Sequence, residues 1–146
     1  MKKLIFIMLI LSMIVLTGCG HIEDTNGEDD FSLETISGDD MINNSSSAST
    51  VSFTKTVGNK TEVSIKKFSG VKSIYKKYSA EGEYKFDFDV KCNSGNLAVV
   101  LVYDDEIVKT IPVNETSSFS YSFDGTFEVK IAGESANLEI TFVIEK

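Results

Sequence analysis

The clearest secondary-structure signal in the chain is the run Tyr84-Lys85-Phe86-Asp87-Phe88-Asp89-Val90-Lys91. Aromatic and branched apolar residues alternate in it with lysines and aspartates. A repeat of two residues is typical of a strand, because successive side chains of a strand point to opposite faces. We therefore predict a half-buried strand whose aromatic face lies on a core and whose charged face lies in solvent.

Similar short runs lie on both sides of this strand. Residues 97–103 are continuously apolar, which is typical of a central strand that is covered on both faces. Val51, Phe53 and Val57 share one parity, as expected of another strand. The other alternating runs are Val63-Ser64-Ile65, Glu106 to Ile111, Phe119-Tyr121-Phe123, Phe127-Val129-Ile131 and Leu138-Ile140-Phe142-Ile144.

Residues typical of chain reversals separate these runs. They are Asn93-Ser94-Gly95-Asn96, Asp104-Asp105, Asp124-Gly125 and Gly133-Glu134-Ser135. Asp124-Gly125 lies between two aromatic runs and predicts a hairpin. Strands that repeat at this spacing predict an all-β domain over residues 51–146, an antiparallel β-sandwich of jelly-roll-like or Ig-like type. About 96 residues are enough to bury a core without disulfides.

Residues 69–78 carry two competing patterns. Val71, Ile74, Tyr75 and Tyr78 fall at helical spacing, and Ser69 is a good helix cap. The segment is nevertheless short and rich in β-branched and aromatic residues. We interpret it as a strand.

The segment before the predicted domain has a different composition. Residues 20–50 contain eight acidic residues and no Lys or Arg, and they end in an Asn- and Ser-rich run. Like charge with few large apolar residues does not offset the entropy of ordering. The composition predicts a disordered acidic tether over residues 19–50.

The chain opens with the basic stretch Met1-Lys2-Lys3, and an apolar run follows from Leu4 to Leu16. That run is shorter than the ~20 apolar residues of a membrane-spanning helix. A basic start, a short apolar core and then small residues indicate a secretory signal peptide over residues 1–18.

The end of this signal is more specific, because Leu16-Thr17-Gly18-Cys19 resembles the lipobox of bacterial lipoproteins. The resemblance implies diacylglyceryl transfer to the thiol of Cys19 and cleavage between Gly18 and Cys19. It implies a protein that is lipid-anchored to the cell membrane on its extracytoplasmic face. Two acyl chains hold a protein stably at a bilayer, whereas one gives only marginal binding.

Charge and cysteine content exclude several classes of function. The net charge of the chain is −8, and loss of Lys2 and Lys3 makes it about −10, which argues against a nucleic-acid partner. If Cys19 is acylated, Cys92 has no partner for an intramolecular disulfide. Cys92 is then a reactive thiol, an intermolecular bridge or, as we favour, a small buried residue at the end of a strand.

Catalytic motifs are absent from residues 51–146. The one histidine, His21, lies in the tether, so the domain lacks Ser-His and Cys-His pairs and a histidine zinc site. Asp87 and Asp89 share a face, but flanking lysines favour a solvated strand. Asp104-Asp105-Glu106 and residues 24–30 are alternative calcium loops, and a plain turn and a plain spacer are favoured for them. We predict no catalytic residue, no metal and no cofactor.

A run of lysines and tyrosines is the candidate ligand site. Its functional interpretation is a basic patch for an anionic envelope polymer, a glycan or a protein partner. The alternative, which the pattern favours, is ordinary solvated strand faces with lysines protecting an edge. The residues are Lys66, Lys67, Lys72, Tyr75, Lys76, Lys77 and Tyr78.

A second resemblance covers most of residues 51–146. The motifs that carry it are Lys67-Phe68-Ser69-Gly70, then Gly95-Asn96-Leu97-Ala98-Val99-Val100-Leu101-Val102, then Gly125-Thr126-Phe127-Glu128-Val129-Lys130-Ile131-Ala132-Gly133. They are similar to small uncharacterised lipoproteins of Gram-positive bacteria. The resemblance implies a β-sandwich and brings no activity or site residue.

These observations predict a non-catalytic binding or accessory module of the cell envelope. The first alternative is an envelope structural protein that self-associates through Cys92 or a sheet edge. The second is a carboxylate-dependent hydrolase, which requires two facing carboxylates in a cleft.

Overall fold

The computed structural model describes residues 36–146. One short helix precedes five strands, two of which are very long. The elements are α1 (Gly38–Asn43), β1 (Ser47–Ala48), β2 (Val51–Val57), β3 (Lys60–Tyr103), β4 (Glu106–Ile111) and β5 (Glu115–Glu145). The prediction of an all-β antiparallel fold is confirmed, and so is the strand interpretation of residues 69–78.

The two long strands form one antiparallel ribbon that is rolled up on itself. β3 pairs with β5 from Lys60↔Val143 through Gly70↔Gly133 to Val90↔Glu115. The same strands then pair a second time, since residues 85–92 also meet 138–145 and residues 97–103 also meet 127–133. Only a rolled ribbon allows one segment to have both partners.

The result is two layers, which we name by their strand order. Layer A contains β2, then residues 60–65, 138–145, 85–92 and 115–121. Layer B contains residues 70–77, 127–133, 97–103 and β4. This is the strand order of a jelly roll, one of the two sandwich types expected from the sequence.

Aromatic contacts show that the layers face each other. Thr61, the partner of Phe142, lies fourteen positions before Tyr75 along β3, about 45 Å in a straight strand. The rings of Tyr75 and Phe142 nevertheless lie 5.8 Å apart. Phe86 of layer A also contacts Phe127 of layer B at 5.5 Å. A single core therefore fills the space between the layers.

The run at residues 84–91 lies in this core as predicted. Phe86, Phe88 and Val90 are buried, while Asp87 and Asp89 lie on the outer face of layer A. Phe86 and Phe119 stack with ring centroids 4.9 Å apart across neighbouring strands. Such aromatic pairs stabilise by about 0.5–1.5 kcal/mol beyond the burial of their area.

Three of the four predicted reversals are not reversals. Strands continue through Asn93–Asn96, Asp124-Gly125 and Gly133–Ser135, and they pass there from one layer to the other. The predicted hairpin at Asp124-Gly125 is therefore wrong. Glycine and short polar residues mark a departure from regular strand geometry, and a corner needs such a departure as much as a turn does.

Asp104-Asp105 is the predicted turn that reverses the chain. Both residues have positive φ, 53° and 59°, between Tyr103 and Glu106. Two left-handed residues in succession are the geometry of a two-residue hairpin whose twist matches its strands.

Residues 36–50, predicted as part of a disordered tether, are ordered. Ser37 caps α1, and its hydroxyl and the Asp40 carboxylate form a reciprocal capping box. Ile36 and Met41 are buried against the outer face of layer B. Acidic composition predicted disorder, but two apolar side chains and a good cap are enough to dock one helical turn on an apolar sheet face.

This docking explains why residues 97–103 are apolar throughout. Val99 and Leu101 point into the core, whereas Val100 and Val102 lie under α1 with Met41. The predicted coverage of both faces is confirmed. Lys130, which lies on the same outer face, is buried, and its Nζ donates to the carbonyl of Ile42 at 2.5 Å.

Candidate functional site

The predicted lysine and tyrosine cluster follows one edge of the sandwich and spreads over several surfaces. Lys66 lies opposite Val51 on the outer face of layer A. Lys67 lies at the corner between the layers with φ 51°, and its N–H donates to the Oδ1 of Asn137 at 2.9 Å. The structure therefore does not gather the whole cluster into one patch.

Two of the lysines already have partners. Lys76 forms an ion pair with Glu128 at 2.5 Å, and its Nζ lies 5.3 Å from the ring of Tyr78. The hydrogen bond that Lys76 donates to Glu128 is the largest effect on the pKa of this lysine, and it raises that pKa. Burial pushes the Glu128 pKa upward, but hydrogen bonds from Lys76 and Ser73 leave it lowered. Lys72 donates to the hydroxyl of Ser52 at 3.2 Å.

Tyr75 is half-buried and packs against the core. Its ring stacks on Phe127 at 6.0 Å and meets Phe142 edge-on at 5.8 Å. Burial raises the pKa of its phenol. Lys66, Lys67 and Lys77 are thus the exposed lysines of the cluster that form no ion pair within residues 36–146.

The outer face of layer A contains an open depression of about 460 Å³. Hydroxyl and carboxylate groups from three neighbouring strands line it. The side chains on this outer face are Asp87, Asp89, Thr116, Ser118, Thr141 and Val143. An open depression of this kind can form hydrogen bonds with one side of a polar ligand and leaves the other side of the ligand in solvent.

The carboxylates in this depression are paired with the lysines that flank them in the sequence. Lys85 contacts Asp87 at 3.0 Å and Lys91 contacts Asp89 at 3.5 Å. A hydrogen bond from Ser118, followed by one from Lys85, lowers the pKa of Asp87. A general acid needs a pKa raised toward neutrality, so Asp87 is shifted in the opposite direction.

The other sequence candidates are placed as follows. Asp104-Asp105 forms an exposed hairpin tip. Within residues 36–146 no three or more His, Cys, Asp or Glu side chains are grouped so as to hold a metal ion. Gly18, Cys19, His21 and residues 24–30 lie outside the described residues.

Cys92 lies at the end of its layer A segment, at the predicted type of position, and is half-buried. Its thiol donates to the carbonyl of Ser94 at 3.3 Å, and its N–H donates to Oδ1 of Asn114 at 2.8 Å. Burial is the larger effect on this thiol and raises its pKa. The thiolate fraction at neutral pH is correspondingly small, so the site does not activate this cysteine.

Sequence reasoning missed the most unusual surface, which is β2. Val51, Phe53 and Val57 share one face, as the alternation indicated, but that face is exposed, by 52%, 56% and 64%. Ser52, Thr54 and Thr56 have the parity of the buried Val63 and Ile65. No local signal in the sequence marks this, because alternation shows which residues share a face and not which of the two faces is buried.

No protein-family model and no curated protein matches the chain. Among residues 36–146, no helix is long and apolar enough to cross a bilayer.

Proposed function

We propose that the chain is a lipid-anchored protein of the bacterial envelope whose β-domain is a non-catalytic binding or accessory module. The observation that carries the proposal is Leu16-Thr17-Gly18-Cys19 directly after a basic and apolar leader. The anchor is the acylated sulfur of Cys19, and the domain lies on the extracytoplasmic side of the cell membrane.

The position of α1 supports this arrangement. Ile36 and Met41 hold the start of the domain on the outer face of layer B. Residues 20–35 connect Cys19 to that point, and sixteen residues reach at most about 55 Å when fully extended. The outer face of layer A lies on the opposite side of the sandwich and is turned away from the attachment point.

A binding role rather than catalysis accords with the chemistry of residues 36–146. This part of the chain has no histidine, and its best-placed carboxylates are paired with lysines. Lys66, Lys67 and Lys77 are exposed cluster lysines without an ion pair among residues 36–146, and we assign them to an anionic envelope polymer. Each such contact is weak in water, so avidity from many copies on a membrane is part of the proposal.

The anchor is tested with the variant Cys19→Ser in a bacterial host supplied with an alkyne-labelled fatty acid. We expect the unaltered chain to carry label and to sediment with membranes. The variant should carry no label and keep its leader, because serine offers no thiol for acylation. Labelling of the variant at the level of the unaltered chain contradicts the anchor.

The binding role is tested by co-sedimentation of residues 20–146 with purified cell walls. Replacing Lys66, Lys67 and Lys77 together by Gln should lower the bound fraction. A matched control replaces Lys91, Lys109 and Lys146, which are likewise exposed and lie outside both the cluster and β2. Equal losses in both triple variants would indicate non-specific charge and would remove the lysines from the proposal.

A further inference from the structure

The free edge of β2 has no partner among residues 36–146. β2 pairs along its whole length with residues 60–66, and no other described strand pairs with it. All seven of its residues are exposed. An open edge is a template for another strand, and proteins that avoid pairing blunt such edges with proline, bulges or several charges. β2 contains no proline, no bulge and one lysine, Lys55.

The sequence of β2 complements itself when it is read antiparallel. Val51-Ser52-Phe53-Thr54-Lys55-Thr56-Val57 is symmetrical about Thr54. A second copy turned about that residue places Val51 opposite Val57, Ser52 opposite Thr56 and Phe53 opposite Lys55. Apolar residues then meet apolar residues, hydroxyls meet hydroxyls, and each ammonium group meets an aromatic ring.

Neighbouring registers are worse. A shift in one direction places Lys55 opposite its own copy, and like charges directly opposite each other destabilise a sheet. A shift in the other direction places Phe53 opposite itself and Val51 opposite Lys55. Only the register centred on Thr54 pairs all seven residues and leaves no like-charged pair.

We propose that two copies of this chain associate through β2, antiparallel and with Thr54 on the two-fold axis, so that layer A continues from one molecule into the other. The contact is isologous, because the same residues of β2 form the interface in both copies. It covers the free edge and sets Val51 and Phe53 of each copy against Val57 and Lys55 of the other. Assembly through this contact stops at two copies, because each copy has one β2 edge and the contact covers it.

Cysteine cross-linking of the full-length chain in membranes tests the register. We introduce single cysteines into a Cys92→Ser parent, as Thr54→Cys, Lys55→Cys or Thr56→Cys. The parent retains Cys19, and its own yield of covalent dimer is the background that is subtracted. Directly opposed residues have Cβ atoms about 4.5–5.5 Å apart, near the span of a disulfide. We expect mild oxidation to yield several-fold more covalent dimer from Thr54→Cys than from the two neighbours. In the proposed register, residues 55 and 56 are offset from their own copies along the strand.

A charge exchange tests the chemistry of the same contact. Phe53→Lys places two lysine pairs at the interface and should lower the cross-linking at position 54 several-fold. The double variant Phe53→Lys, Lys55→Phe restores every cation–aromatic pair and should restore the yield. Tyr78→Lys is the matched control, because Tyr78 is also an exposed aromatic, at 69%, and lies outside β2.

Two outcomes overturn the proposal. One is cross-linking at position 54 that does not exceed that at positions 55 and 56, which is expected if the edge is free or is covered by another segment of the same chain. The other is failure of the exchanged variant to recover dimer while its circular dichroism shows the native strand content. Dimer formed equally well by Phe53→Lys also contradicts the assigned pairing.

Discussion

Glycines at the corners show how single residues determine where the ribbon bends. Gly70 has φ +104°, and a Cβ there would lie 2.2 Å from the carbonyl oxygen of Ser46. Gly58, in the turn between β2 and β3, also has a positive φ, +63°, but an added Cβ would have nothing within 4 Å. The two positions therefore separate the cost of a left-handed backbone from the cost of crowding.

We predict that Gly70→Ala lowers the free energy of unfolding by about 2–4 kcal/mol, because left-handed strain adds to a clash with β1. Gly58→Ala should cost only the strain, about 1 kcal/mol. Urea unfolding of residues 20–146, followed by circular dichroism, measures both. Equal losses would mean that β1 moves away from Gly70 without cost.

The hydrogen bond to Asp87 gives a prediction about pH. The hydroxyl of Ser118 is the largest cause of the lowered pKa of Asp87, and Lys85 follows it. A carboxyl with a lowered folded-state pKa contributes stability above its unfolded pKa and loses it as pH falls through the folded value. The Asp87 contribution should therefore be complete at neutral pH and disappear in the acid range below the ordinary aspartate pKa.

Ser118→Ala should move the titration midpoint of Asp87 upward toward the ordinary aspartate value, and carbon-detected NMR of the side-chain carboxyl measures it. Ser120→Ala is the matched control, because Ser120 lies on β5 like Ser118 but is opposite Lys85 instead of Asp87. A midpoint unchanged by Ser118→Ala would assign the shift to Lys85 alone.

At the scale of elements, α1 depends on its contacts for its existence. A helix of six residues is not stable alone, so α1 persists through its cap and the burial of Met41. Met41→Ala removes that buried side chain, a change that costs about 2–5 kcal/mol in well-packed cores.

We expect Met41→Ala to detach α1 while the sandwich stays folded. Amide exchange should become fast at Met41 and Asn44, whose N–H groups donate to Ser37 and Asp40 within the helix. Val99 and Leu101 should stay protected, since they face the core between the layers. Ile42→Ala, at a half-buried position, is the control and should leave α1 docked. Loss of protection throughout layer B would instead make α1 part of the cooperative core.

The sequence predicted most strands because each carries its own local signal. The alternation at residues 84–91 and the apolar run at 97–103 both follow from burial on one or two faces, and both are confirmed. The corners at Asp124-Gly125 and Gly133 were predicted as reversals because bend and turn use the same residue types. Whether the chain reverses there depends on pairing with β3, which is far away in sequence.

The candidate site was less predictable for the same reason. Proximity along the chain grouped Lys66, Lys72 and Lys76, but a strand that alternates faces and crosses a corner sends neighbours to different surfaces. The edge position of β2 also has no local signal. Val51 and Phe53 look like core residues until the number of strands in layer A is known.

At the scale of the whole molecule, the proposed anchor and the proposed edge pairing would reinforce each other. A lipid on Cys19 would confine copies to one surface and raise their effective concentration, which lets a contact of only seven residues matter. The sixteen residues 20–35 reach at most about 55 Å, so the length of this connection would not keep two β2 edges apart. The binding role and the dimer stay separable, because the former is tested on lysines outside β2.

The rolled ribbon makes one cooperative unit of the two layers. β3 and β5 each run through both layers, and their inward side chains share one core. Val90 of layer A and Val129 of layer B are both fully buried in it. If one layer unfolded, the apolar inner face of the other layer would be exposed to water. Unfolding should therefore be a single transition.

We predict that Val90→Ala and Val129→Ala each lower the midpoint of that one transition, at a cost of about 2–3 kcal/mol, from the loss of two methyl groups and the cavity left behind. The chain has no Trp, so tyrosine signals report tertiary packing, and Tyr84 and Tyr103 lie in different layers. Near- and far-ultraviolet circular dichroism should give superimposable curves for both variants. Separate steps, with each substitution moving only one of them, would show that the layers fold independently despite their shared strands.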